Sequence, residues 1–307
     1  MQRFIFLAIC FLLINILTAY AGDKITKNDS NYGYKRLNLG EVPWDDPKKI
    51  AKWYKPIITY ISEYIEIEIV LNISPDYRTL EQDLANNNIH IASLNSGTYA
   101  ETLQTMPDKI NYLCTVEWDG TCFKKSFIFT KKESHISNIK DMQAKTIGFT
   151  DKASSSGYKY PIYIFLEKGI DPSAYFSKIF FLGDHNKVVN AVFNGFVDIG
   201  ATYDIKYKAF QSKNNSPFKI ISESPEEPFA AMVTSSSLPE ELFLKIKDAF
   251  LSVNAKSTLK DGTLVLGGDY PLSGFQIKDN SIYKRIIDIN QTVFEYEKKK
   301  QTSKIDK

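Results

Sequence analysis

The stretch Thr146-Ile147-Gly148-Phe149-Thr150-Asp151-Lys152-Ala153-Ser154-Ser155-Ser156-Gly157-Tyr158 decides the fold. Thr146 to Thr150 reads as a strand, and it runs directly into three consecutive serines and a glycine. A helix follows to about Lys168. Strand, hydroxyl-rich loop and helix in that order are the start of a parallel α/β unit. They are also suited to holding an anion. The first N–H groups of a helix lack internal partners, the helix dipole adds partial positive charge there, and serine hydroxyls donate further hydrogen bonds. The plainer alternative is N-capping by one serine beside a flexible loop. The stretch has no glycine-lysine-serine/threonine element of a P-loop, and its glycines are not spaced as in a nucleophile elbow.

Working outward, Lys178–Leu182 reads as a strand, His185–Asn194 as a helix and Val197–Ala201 as a strand, while Ser126–Thr130 precedes them as another strand. A similar order comes first in the chain. Arg36–Gly40 alternates as a strand, and a loop rich in proline and aspartate follows to Pro47. Ile50, Trp53, Tyr54, Ile57, Ile58 and Ile61 recur at helical spacing between Lys48 and Tyr64. Pro56 is expected to kink or split that helix. Ile65–Leu71 then alternates as a strand, Thr79–Asn86 reads as a helix and Ile89–Leu94 as a strand. The pattern predicts two α/β units with parallel, helix-covered sheets. Residues 218–234 add strand-like material, Pro239–Leu251 an amphipathic helix and Tyr283–Glu297 a last helix. The lysine-rich residues 298–307 are expected to be a disordered tail.

Composition excludes several classes. The chain has 307 residues, a net charge of +2 and 43% hydrophobic residues. That length suits two domains, and the near-neutral charge speaks against a nucleic-acid protein. Three histidines and three cysteines leave little room for a metal site, and none is expected. Met1-Gln2-Arg3, an apolar run from Phe4 to Leu17 and Ala19-Tyr20-Ala21 form the three parts of a secretory signal peptide over residues 1–21. The alternatives are an uncleaved anchor or lipidation at Cys10. A loose polar leader over 22–34 follows. Export leaves Cys114 and Cys122 on either side of an Asp119-Gly120 hairpin signal, so a disulfide between them is expected in an oxidising compartment. Two free, partly buried thiols are the alternative.

Two further positions lie at predicted strand ends, where open α/β sheets bind ligands. His185 follows Gly183-Asp184 and opens a helix, so its imidazole could serve the same anion as the serines. Asp204 and the pair Glu226-Glu227 before Pro228 are acids at comparable edges, or else solvated loop charges.

An ordered set of segments gives these sites a context. It comprises Val42-Pro43-Trp44-Asp45-Asp46-Pro47, Ser74-Pro75-Asp76-Tyr77, Ile89-His90-Ile91-Ala92, Ser154-Ser155-Ser156-Gly157-Tyr158 with Pro161, Gly169-Ile170-Asp171-Pro172, Gly183-Asp184-His185, and Ala191-Val192 through Asn194-Gly195 with Asp198. Over about residues 36–290 the chain resembles the phosphonate-binding periplasmic proteins, the substrate-binding components of phosphonate or phosphite ABC importers. The resemblance implies a type II periplasmic binding protein fold with two α/β lobes around a ligand cleft. Residues 35–122 with 222–297 would form lobe 1 and residues 123–221 lobe 2. It implies that Ser154, Ser155, Ser156 and His185 grip the oxyanion, that Glu227 meets an aminoalkyl substituent, and that Tyr99 and Trp44 join Asp204 in the ligand set. Ser155 stands where the family often has threonine, and His90 where it often has aspartate. The implied partners are a small phosphorus oxyanion and an inner-membrane ABC permease, for a periplasmic monomer with no cofactor, no nucleic acid and no catalysis. The alternatives are a ligand-sensing input to a membrane receptor and a secreted hydrolase using one serine with His185.

Overall fold

The computed structural model describes residues 32–267 and 272–305. The expected signal peptide, and the leader up to residue 31, lie outside the described residues. Among the described residues no helix is long and apolar enough to cross a membrane.

The chain opens with β1 (Arg36–Glu41), α1 (Pro47–Ile65), β2 (Glu68–Ile73), α2 (Tyr77–Ala85), β3 (Ile91–Leu94) and α3 (Ser96–Thr105). β1 pairs in parallel with both β2 and β3, as the strand–helix order predicts. Aspartates and asparagines start these helices. Asp46 accepts from Lys48 N at 2.8 Å, Asp76 from Thr79 N at 2.8 Å, and Asn95 from Gly97 N at 2.8 Å. Each satisfies a backbone donor that has no partner in the helix. Pro56 lies within α1 without ending it. Ile50 and Tyr54 before it, and Ile57, Ile58 and Ile61 after it, are all buried. Burying each such side chain is worth about 1.5–3 kcal/mol, so together they outweigh the roughly 3 kcal/mol a helix proline costs.

The chain continues with β4 (Ile110–Trp118) and crosses through β5 (Phe123–Lys124) to β6 (Ser126–Lys131). Next come β7 (Thr146–Phe149), α4 (Tyr160–Glu167), α5 (Pro172–Tyr175), β8 (Lys178–Phe181), α6 (His185–Asn194), β9 (Ile199–Tyr203), α7 (Asp204–Lys213) and β10 (Phe218–Glu223). It returns through β11 (Glu227–Pro228) to β12 (Ala231–Ser235), α8 (Glu240–Ser252), β13 (Leu272–Gln276) and α9 (Lys284–Ile305). One sheet has the order β13-β4-β12-β3-β1-β2 and the other β10-β6-β9-β7-β8. β5 and β11 pair antiparallel as a separate two-stranded ribbon. The two chain crossings between the sheets therefore run side by side. This is the two-lobed periplasmic binding fold. The return crossing comes after Glu223, the end of β10, later than the boundary expected at residue 222.

Two expectations need correction. Residues 298–305 are not a disordered tail, because α9 runs to Ile305. Its second half is tied down: Tyr158 donates to Glu297 at 2.6 Å, Tyr296 donates to Asp171 at 2.9 Å, and Lys300 pairs with Asp171. Cys114 and Cys122 are free buried thiols, not a disulfide. Asp119 and Gly120 do make the turn, both with positive φ, but only Trp118 and Thr121 pair across it. That register sets Cys122 opposite Glu117, three residues from Cys114. Three residues of strand span about 10 Å, beyond the roughly 7 Å Cα separation a disulfide tolerates.

Candidate anion-binding site

The carboxyl ends of β1, β3, β7, β8 and β9 converge on one cavity of about 80 Å³ between the sheets. Its polar wall comes from the loop after β7. Ser154 caps a π-turn, Ser155–Lys159, that leads into α4, and its Oγ accepts from Gly157 N at 3.1 Å. The N–H groups of Ser155 and Ser156 open that turn and precede every carbonyl that could bond them within it. Ser155 is buried, and the Oγ of Ser96 from α3 lies within 3.0 Å of both Ser155 Oγ and Glu227 Oε2. Among the described residues the Ser156 hydroxyl, which also lines the cavity, has no hydrogen-bond partner.

His185 is the first residue of α6, and Asp184 caps that helix by accepting from Lys187 N at 2.8 Å. The His185 ring is buried, with Nδ1 2.9 Å from Thr202 Oγ1 and Tyr203 edge-on at 4.8 Å between centroids. Burial, with Lys124 and Lys206 nearby, pushes its pKa well below the ordinary histidine value. The tautomer sets the direction of that bond: where Nδ1 accepts from the Thr202 hydroxyl, the proton of a neutral ring lies on Nε2 and the ring is an uncharged donor. No serine of the loop bonds His185 among the described residues, and no carboxylate orients it.

The opposite wall is aromatic. Trp44 stacks on Trp53 at 5.7 Å and meets Trp118 at 5.5 Å, and Trp118 stacks on Phe229 at 5.4 Å. Glu41, at the end of β1, also lines the cavity. Burial raises its pKa to about 7, against hydrogen bonds from Tyr54 (2.6 Å) and Val42 N (2.8 Å).

The structure brings Ser154, Ser155, Ser156, His185 and Trp44 to the cavity. Glu227 is fully buried one hydrogen-bond layer behind it, and burial raises its pKa while Lys124 and the hydroxyls of Ser155 and Ser96 pull the other way. Asp204 and Tyr99 lie elsewhere. Asp204 begins α7 and accepts from Lys208 Nζ at 2.9 Å and from Lys125 N at 3.3 Å. Tyr99 faces inward from α3, packs edge-on against Tyr283 at 4.7 Å and donates to Asn280 at 3.1 Å. It belongs to the core. His90 is structural, its Nδ1 accepting from Asn38 N at 3.0 Å. Lys124 and Glu41 line the cavity without having been singled out from the sequence, and Tyr77, from the Ser74-Pro75-Asp76-Tyr77 segment, and Asn95, from the loop after β3, line it too. Of these, Asn95 carried a signal, since its place between a strand and a helix is that of a capping residue.

Known proteins resemble this chain in sequence and in fold. Over 226 residues the chain is 25% identical to the phosphonates-binding periplasmic protein of Escherichia coli, covering 71% of this chain and 66% of that one, just under two thirds of its length. Over 270 residues it is 22% identical to the phosphate-import protein PhnD of Mycolicibacterium smegmatis, covering 83% of each. The solved structure of PhnD1 from Prochlorococcus marinus in complex with methylphosphonate superimposes with a TM-score of 0.72 at 19% identity, covering 84% of this chain and 98% of that one. A family model described as the phosphonate periplasmic substrate-binding protein of ABC transporters matches residues 39–283, a span that includes every residue lining the cavity, and the chain belongs to that family.

Proposed function

We propose that this protein captures a phosphonate, phosphite or phosphate-like oxyanion in the cavity and delivers it to the permease of an ABC importer, with no catalytic step. The observation that carries the reading is the meeting of unpartnered donors in one small cavity. These are the Ser156 hydroxyl, the Nε2 edge of His185 and the Lys124 ammonium, beside the N–H groups that open the π-turn. Such donors are what a tetrahedral oxyanion requires. The relatives named for phosphonate or phosphate, and the methylphosphonate complex of the Prochlorococcus protein, support this ligand class. The periplasm is the compartment that fits it, with the signal peptide cleaved near Ala21.

Calorimetric titration of the protein with methylphosphonate, phosphite and phosphate tests the proposal. At least one should bind. His185→Ala and Ser156→Ala should each weaken that ligand about 10- to 100-fold, since one hydrogen bond to a charged group is worth about 1.5–3 kcal/mol, while melting stays near that of the wild type. Absence of heat with all three ligands would overturn the function, and wild-type affinity in both variants would overturn the site.

A further inference from the structure

Lys124 is the only lysine or arginine that lines the cavity among the described residues. It lies on the ribbon that joins the lobes, where cross-strand register sets it directly opposite Glu227. Opposite residues of an antiparallel pair share a face, so the lysine and the acid act on the same space. Yet the ammonium makes no hydrogen bond or ion pair among the described residues. It sits over the rings of Tyr203 and Phe229, 5.3 and 5.5 Å from their centroids, a position that favours a cation. Glu227 turns instead to the Ser96 hydroxyl. An aromatic wall backed by a buried acid would suit the amine of a ligand. In this chain the ring faces already hold a cation of the protein itself, which stands across the ribbon from the acid without pairing with it.

We propose that Lys124 sets the specificity of the site, excluding oxyanions whose substituent carries an amine and selecting compact ones whose substituent is uncharged. A ligand ammonium would have to share the ring faces with Lys124 and lie beside a like charge. An uncharged substituent meets only the apolar wall, while the oxyanion gains the lysine as counter-charge. This rests on the phosphonate-binding reading above.

The test uses ethylphosphonate and aminomethylphosphonate, which differ only by –CH3 against –NH3⁺, titrated into the wild-type protein and into Lys124→Met and Lys124→Arg. The wild type should bind ethylphosphonate at least 10-fold more tightly. Lys124→Met should shrink or invert that ratio at least 10-fold, chiefly by gaining aminomethylphosphonate, and Lys124→Arg should keep the wild-type preference. Comparing ratios between variants cancels the intrinsic difference between the ligands. Equal wild-type affinities, or a ratio that Lys124→Met leaves unchanged, would overturn the specificity role while leaving phosphonate binding intact. Binding of neither compound, nor of methylphosphonate, phosphite or phosphate, would overturn both.

Discussion

Glu41 shows how one residue of the site couples to pH. Its carboxyl is buried, and its pKa is raised from 4.5 to about 7 because burial disfavours the anion more than Tyr54 and Val42 N support it. The folded state therefore holds more protons than the unfolded state between those values. Its stability contribution is complete below about pH 4.5 and is lost as pH rises through about 7. Over that window Glu41 should lower wild-type stability to urea by a few kcal/mol, opposed by His185, whose depressed pKa acts with the other sign. Glu41→Gln should flatten the slope. It should not abolish it, because Glu81, raised to about 7 by burial and by Glu101, acts with the same sign. A Glu41→Gln protein with the wild-type slope would rule out this account. Legibility at this scale is uneven. His185 and the serines stand at a strand end and carry their chemistry in their type. Lys124 lies in Cys122-Phe123-Lys124-Lys125, where nothing local distinguishes it from Lys125, which pairs with Glu223 instead. Only the pairing of β5 with β11, which brings together residues about a hundred positions apart, turns it into the cavity.

Among the elements, the turn after β7 depends on close packing that only glycine permits. A Cβ at Gly157 would lie 2.0 Å from Thr150 Oγ1 and 2.8 Å from Thr150 Cγ2, in a place where Thr150 N also donates to Gly157 O at 3.3 Å. Gly157→Ala should push the π-turn off the end of β7, destabilising the protein by about 1–3 kcal/mol and weakening ligand at least 10-fold. Adding Thr150→Ala removes the two nearest of the three clashing atoms, leaving Ser154 Oγ at 2.9 Å, and should restore part of the melting temperature, a coupling that a double-mutant cycle measures. A Gly157→Ala variant that melts and binds like the wild type would show that the turn is not held this way. The elements that sequence reasoning found are those whose patterns are one-sided: alternation in β1 and an amphipathic stripe with an aspartate cap in α1. α3 escaped because it buries Ser96, Gly97, Thr98, Ala100 and Thr102, small or polar residues that make no apolar stripe. β4 was expected only as a strand leading into the Asp119-Gly120 turn, without bounds, because most of its length is buried and it shows no alternation. Extension of the last helix to Ile305 was hidden because the contacts that hold it come from Tyr158 and Asp171 in the other lobe.

Across the whole molecule, polar contacts join the lobes along α9 and at Ser96–Ser155, and a further one, at Asp45, is concentrated and buried. Asp45, in the loop after β1, receives Lys206 Nζ at 2.6 Å and Asn186 Nδ2 at 2.6 Å, both from the second lobe. Its side chain is 2% exposed and that of Lys206 16%. Burial alone would raise the Asp45 pKa, but Lys206 overrides it and holds the carboxyl below the ordinary range. Asp45 follows Trp44, which lines the cavity. Asp45 also accepts from its own neighbour Asp46 N at 2.7 Å, so replacing it would disturb the loop as well as the contact. Lys206 makes side-chain hydrogen bonds only to Asp45 and Asn186 among the described residues, which makes it the cleaner probe. Lys206→Met leaves Asp45 buried without its cation whenever the lobes are closed. Breaking a buried pair costs about 3–5 kcal/mol when the orphaned charge cannot reach water. Here opening about the β5–β11 ribbon would return Asp45 to solvent, so the penalty should appear as a loss of the closed form and not as unfolding of either lobe. Apparent affinity falls with the closed fraction. Lys206→Met should therefore bind ligand about 10- to 100-fold more weakly, and its ligand-free form should have a larger radius of gyration by small-angle scattering. Saturating ligand should restore the wild-type radius. Unchanged affinity together with an unchanged radius would mean that the Asp45–Lys206 contact does not govern closure.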